Sequence, residues 1–418
     1  MAHSPLLLQL VVILGCARIV GLILRYFGQP MVIGEMIAGL LLGPAVFGVL
    51  APHLQSTLFQ RSSLPELDAV SQLGLVLFMF IVGAELRLPR GAKAQITAAT
   101  SIGTFSVLLP MALGFAAAVP LHPLLAPPGV SFLPFALFMA ASMSITAFPV
   151  MARVLKDRGE TQTRIGRLSL TAAAVADVFS WVMLAVVVVL AGSGSDWSRL
   201  TQMLVGLAAL CALLFGALRP LFAWLLDRYA SDGRPAGALL AAMLIGTFAS
   251  SYATAYIGVH PVFGAFLFGA CLPRDDRLLN SLIERIEHVA ILVLMPVFFA
   301  LAGLSTTADA FAGTGLGSLL LILLVAVVGK IIGGSLGARL AGEPWRPALA
   351  IGALMNARGL MELIVMKVGL DAGLISQSLF TMLLVMAIVT TVMTGPLLNL
   401  FGGQRHESSS AVDLTRMP

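Results

Sequence analysis

Charge is what this 418-residue sequence has least of. Asp, Glu, Lys and Arg together make up 11% of it, against roughly 25% in soluble domains. So little charge cannot keep a globular surface wetted, and that argues against a soluble enzyme. The formal net charge of +5 is spread over many short segments. No basic patch builds up, and no nucleic-acid partner is expected. Aromatic residues are also scarce, at 7%. The three cysteines (Cys16, Cys211, Cys271) sit in apolar runs, with neither metal-ligand spacing nor a disulfide framework. The six histidines are scattered without ligand spacing. There is no Walker loop, no GxGxxG after a strand and no nucleophile elbow. Neither a cofactor, a resident metal nor an enzymatic role is expected.

Long apolar runs are what the sequence has instead: 59% of it is hydrophobic. Only helices or closed barrels satisfy their backbone in lipid, and the short alternating segments of a barrel are missing. The expected fold is therefore an all-α polytopic membrane protein. About thirteen segments have spanning length, at 5–27, 31–50, 66–86, 95–120, 132–155, 167–192, 199–224, 235–256, 258–273, 282–305, 314–339, 345–369 and 377–401. The first has no basic flank or small-residue cleavage site, so it reads as a span and not as a removable leader.

Loop charges set an orientation. With the N-terminus outside, the cytoplasmic loops hold Arg25, Arg87, Arg90, Lys93, Arg153, Lys156, Arg158, Arg164, Arg167, Arg219, Arg228, Arg234, Arg274, Arg277, Arg285, Arg339 and Arg346, and the tail adds Arg405 and Arg416. Only Arg61 and Arg199 fall on the other side. That bias predicts an outside N-terminus, a cytoplasmic C-terminus and an odd number of spans. The polar stretch 402–418 is expected to be a disordered tail.

A few charges remain inside apolar runs. Asp177 stands in "AAAVADVFSW", and Lys330, Arg358 and Glu362 are equally deep in their segments. A charge at the bilayer centre costs at least roughly 2.5–3.5 kcal/mol. Such groups need partners, a wet cavity or a function. Two of the apolar runs are also interrupted. The fifth reads "SMSITAFPVMARVL", where Pro149 cannot donate to the helical ladder and Ser142, Ser144 and Thr146 could serve freed backbone groups or an ion. Phe148 belongs to the same break. The twelfth reads "ALMNARGLMELIVMKVG", with Asn356, Arg358 and Gly359 breaking the run and Glu362 one turn beyond Arg358. The breaks lie seven spans apart and so cross in opposite senses. "GEMIAGLLLGP" and "GAFLFGACLP" are a similar pair. Together they predict an inverted repeat whose broken helices mark a midplane site. Gly333 and Gly337 read as close-packing positions.

The stretches "GQPMVIGEMIAGLLLGP", "LGLVLFMFIVGAEL", "SITAFPVMARVLKDRG", "AAAVADVFSW", "IGVHPVFGAFLFGACLP" and "MNARGLMELIVMKVG" resemble, in order and over nearly the whole chain, the monovalent cation:proton antiporter-2 family. They are most similar to plant and fungal cation/proton exchangers and their bacterial relatives. The resemblance implies two crossing broken helices in a core (95–192 and 314–401), a scaffold that forms a homodimer (1–94 and 235–313), and a linker (193–234). The core would move against the scaffold in an elevator-like cycle in a bacterial inner (plasma) membrane. Its substrates would be protons and a monovalent cation, K⁺ or Na⁺. Asp177 matches the family's ion-binding aspartate, with Thr146 beside it. Lys330 looks like the core lysine, Arg358 like the basic residue of the second break. Relatives usually carry Asp, Asn or Gln immediately before the aspartate, where this sequence has Ala176, and commonly an acid where it has Thr254–Tyr256. Many also carry a C-terminal domain that this sequence lacks, so gating through a tail is not expected. Exchange of another solute on the same scaffold, or a non-transporting partner or sensor, are the alternative functions.

Overall fold

The computed structural model describes residues 5–85, 93–191, 197–229, 237–273 and 285–401. The 402–418 stretch expected to be a disordered tail, and the loop residues Arg87, Arg90, Arg234, Arg274 and Arg277, lie outside the described residues. The elements are α1 (Leu6–Tyr26), α2 (Met31–Leu42), α3 (Leu64–Glu85), α4 (Lys93–Leu125), α5 (Phe132–Ser144), α6 (Phe148–Asp157), α7 (Arg164–Ala191), α8 (Trp197–Leu213), α9 (Arg219–Tyr229), α10 (Gly237–Ile257), α11 (Pro261–Cys271), α12 (Met295–Leu304), α13 (Gly315–Leu340), α14 (Trp345–Met355), α15 (Leu360–Asp371) and α16 (Gln377–Phe401). Short helical turns fall at Phe47–Leu50, Pro52–Leu58 and Ala308–Phe311.

The chain is an all-α membrane protein. Among the described residues, 9 helices are long and apolar enough to cross a bilayer. That is fewer than the number of apolar segments read from the sequence. The fifth and twelfth segments are each split into two half-helices, the ninth, α11, is only 11 residues long, and the sixth, α7, is not among the 9.

Among the described residues two helices carry a π turn, and a proline explains each. Leu214–Leu218 joins α8 to α9 two residues before Pro220, and Ala290–Leu294 enters α12 two residues before Pro296. A proline has no amide to donate, and its ring crowds the carbonyl four residues back. Widening the ladder by one residue relieves both problems while keeping the helix continuous.

The helices pack in two groups. In one, α1 lies on α2, α2 on α12, and α3 and α10 on α11. In the other, α4 lies on α5, α7 and α13, and α14 packs on α13 and α16. Each group is joined at close backbone approach. A Cβ on Gly303 of α12 would collide with the Gly39 carbonyl of α2. In the second group, Gly329, Gly333 and Gly337 of α13 face Pro110, Phe105 and Ile102 of α4. The sequence reading of Gly333 and Gly337 as packing positions describes this contact. Between the groups, α16 is the main bridge, touching α2 and the Ala308–Phe311 turn. Gln29 donates to the Val392 carbonyl (3.3 Å), and the Thr307 amide donates to the Thr381 hydroxyl (2.9 Å).

Candidate functional site

The site is built where two helices stop inside the second group. The α5 helix ends at Ser144 and α6 begins at Phe148; α14 ends at Met355 and α15 begins at Leu360. The two interruptions meet, and the Ala147 amide donates to the Ala357 carbonyl at 3.1 Å. Pro149 falls in the first turn of α6, where a missing amide costs nothing and the fixed φ suits the helix. The close approach also accounts for Gly359. A Cβ there would press within 2.6 Å of Val150 on the other broken helix.

A helix that stops in a dry interior leaves its last four carbonyls without partners, and at α5 all four are answered. The Ser144 hydroxyl donates to the Ala141 carbonyl at 2.7 Å. The Arg358 guanidinium donates to Ser142 O at 2.9 Å and to Met143 O at 2.7 Å. Lys330 Nζ donates to Ser144 O, to Thr146 Oγ1 at 2.6 Å and to Ser106 O at 3.0 Å. Lys330 and Arg358 thus place two fully buried basic side chains at the negative end of a helix dipole. Glu362 accepts from Arg358 at 2.8 Å, with both side chains completely buried.

The second break is held mainly by α16. Asn356 Nδ2 donates to the Thr390 carbonyl (3.1 Å), and the Arg358 amide donates to the Thr391 hydroxyl (2.9 Å).

Asp177, on α7, sits at the opposite pole of the first break. The backbone of Phe148, at the N-terminus of α6, lies close enough to act on its carboxylate. That is the positive end of a helix dipole, suited to an anion. Asp177 is only 3% exposed, yet its Oδ1 has no hydrogen-bond partner among the described residues. It lines a cavity of about 10 Å³ together with Ile145, Ser180, Met361 and Val365. That is about the volume that holds one water-sized body. Lys330 is close enough for its charge to act on Asp177, but its three hydrogen bonds go to the oxygens named above.

Most of the residues singled out from the sequence therefore meet around one crossing: Ser144, Thr146, Phe148, Asp177, Lys330, Asn356, Arg358, Gly359 and Glu362. Thr146 faces Lys330 and is not part of the cavity wall. Ile145 and Ser180 are, and sequence reading passed over both. For Ser180 a signal was available, because it lies three residues after Asp177 and so on the same helix face.

A polytopic helical bundle with breaks meeting around a buried carboxylate defines an integral membrane transporter architecture. Comparison with known proteins narrows the class. The profile "Sodium/hydrogen exchanger, transmembrane" matches residues 11–401. The chain belongs to this family, the monovalent cation:proton antiporters, and is a secondary transporter of that class. It is similar to the Na(+)/H(+) antiporter NhaS4 of Synechocystis, at 38% identity over 94% of this chain and 96% of that protein. It is also similar to K(+)/H(+) antiporter 1 of Saccharomyces cerevisiae, at 36% identity over 96% of this chain and 47% of that one. The chain thus spans about half the length of the yeast relative. In fold it resembles the sodium proton antiporter MjNhaP1 of Methanocaldococcus jannaschii, with a TM-score of 0.65 at 15% identity, covering 96% of this chain and 97% of that one.

Proposed function

We propose that the protein exchanges protons for a monovalent cation, K⁺ or Na⁺, with Asp177 holding one or the other. The observation that carries this reading is the Asp177 carboxylate, nearly sealed, with one oxygen that has no hydrogen-bond partner among the described residues, in a cavity with room for a single small body. An ionised carboxylate is a hard oxygen ligand for an alkali cation. A protonated one is neutral and releases it. The cavity has room for one water-sized body, which suits a small ion. The names of the relatives from Synechocystis and yeast point to Na⁺ and K⁺ respectively, which supports the class of monovalent cations.

The two packing groups support a division into a scaffold (1–94 and 235–313) and a core (95–192 and 314–401), joined by a linker (193–234). Sparse contact between them suits an elevator-like movement of the core past a fixed scaffold. Thirteen crossings follow if the 9 long apolar helices are joined by α7, α11 and the two broken pairs. The repeat would then be inverted, with the breaks crossing at the midplane. On the loop charges the N-terminus is outside and the C-terminus cytoplasmic, in a bacterial inner membrane, and the scaffold forms a homodimer.

The test is flux in proteoliposomes. Purified protein is reconstituted with a pH-sensitive dye inside, and Na⁺ or K⁺ is added outside. Cation-dependent alkalinisation of a lumen loaded with acid is expected. A folded, inserted protein that produces no pH signal with any alkali cation would overturn the proposal.

A further inference from the structure

The residue immediately before Asp177 is Ala176, which brings no side-chain oxygen to the site. The structure puts a hydroxyl-bearing residue, Ser180, on the wall of the cavity that Asp177 lines. Ser180 lies one turn further along α7 and is 7% exposed. It lines the cavity with Asp177. Its hydroxyl donates to the Ala176 carbonyl at 2.9 Å. A serine hydroxyl has one hydrogen and two acceptor lone pairs. With the hydrogen committed to the backbone, the oxygen is left as an acceptor. Ala176 itself lacks a side-chain oxygen, but its carbonyl fixes the one that Ser180 brings.

We propose that Ser180 is a ligand of the transported cation: its hydroxyl oxygen and the Asp177 carboxylate coordinate the ion together, and Ser180 helps set which monovalent cation is preferred. The inference rests on the exchange reading above. Its chemistry is that of a hard, neutral oxygen, which favours alkali cations over softer ions. Charge bookkeeping is unaffected, because a neutral ligand adds no proton to the cycle.

The competing explanation is structural. Serines in helices often back-bond to the carbonyl four residues earlier without any ligand role, and such bonds slightly destabilise the helix. The two explanations predict different outcomes for Ser180→Ala. Loss of a back-bond alone leaves cation dependence untouched. Loss of a ligand raises the KM for the cation about tenfold, roughly the effect of one lost hydrogen bond to a charged group, with little change in maximal rate, and it changes the ratio of Na⁺ to K⁺ affinity. Ser180→Thr keeps the hydroxyl and should retain the parental ratio. Ser180→Cys keeps the shape but offers a soft sulfur, and should favour Tl⁺ over K⁺ compared with the parent.

The experiment measures KM and maximal rate for Na⁺, K⁺ and Tl⁺ in proteoliposomes at one pH, for the parent and all three variants. A parent without cation-dependent exchange refutes the exchange reading itself. An active parent with unchanged KM values and ion ranking in Ser180→Ala overturns the Ser180 assignment alone. Should Ser180→Ala fail to insert, Ser180→Cys decides: an unaltered Tl⁺ to K⁺ ratio overturns the assignment, and a shifted ratio supports it.

Discussion

Removing Arg358 should cost more stability than removing any other single side chain around the breaks, and the size of the cost follows from its partners. The guanidinium holds two carbonyls of α5, at 2.9 and 2.7 Å, and the Glu362 carboxylate at 2.8 Å. Interhelical hydrogen bonds in membrane proteins average about 0.6 kcal/mol and reach about 1.7 kcal/mol. The two carbonyl bonds therefore account for about 1–3 kcal/mol. Glu362 decides the rest. Both side chains of the pair are completely buried, and breaking a buried pair from one side costs about 3–5 kcal/mol because the partner is stranded. Arg358→Ala is expected in that range. In Arg358→Ala/Glu362→Gln no charge is stranded, so the double variant should be more stable than Arg358→Ala, with a coupling of at least about 1.5 kcal/mol. Equilibrium unfolding in mixed micelles of increasing SDS fraction measures all four members of the cycle. A cost below about 1 kcal/mol for Arg358→Ala, or strict additivity in the cycle, would refute the assignment of Arg358 as the residue that answers both the α5 terminus and Glu362.

Three further outcomes follow from the proposed exchange. Asp177→Asn keeps the shape of the side chain but cannot trade a proton for a cation; it should insert normally and show no exchange, and near-parental flux would remove Asp177 from the mechanism. Because one carboxylate cannot hold a proton and a cation together, acidification should raise the apparent cation KM across the active range; a KM independent of pH would argue for separate sites. Lys330 has three oxygens around its Nζ, matching the three N–H donors of an ammonium. If it keeps all three protons through the cycle, one proton exchanges for one cation and the rate should ignore membrane potential. Na⁺ exchange that follows a potassium–valinomycin potential would show that a second titrating group moves charge, at about 2.3 kcal/mol per charge per 100 mV.

The sequence by itself determined the fold class, the run of apolar segments and the places where two of them break. Those are local properties. A twenty-residue apolar stretch, a proline without an amide and a carboxylate among alanines each carry their cost wherever the chain takes them. Asp177, Lys330, Arg358 and Glu362 were legible for the same reason, since burying a charge is costly enough to stand out in a list of residues. Their partners were not legible. Lys330 meets Ser144 and Thr146 across 186 and 184 positions, and Arg358 meets Ser142 and Met143 across 216 and 215. No spacing in the sequence encodes which nitrogen answers which carbonyl over such distances. Packing of α13 on α4 and the meeting of the two breaks decided that. The same packing turned Thr146 toward Lys330 and put Ser180 on the cavity wall. Hydropathy and periodicity say that a side chain is buried and on which helix face, but only the tertiary contacts of that face decide whether a hydroxyl serves a lysine, a backbone carbonyl or an ion.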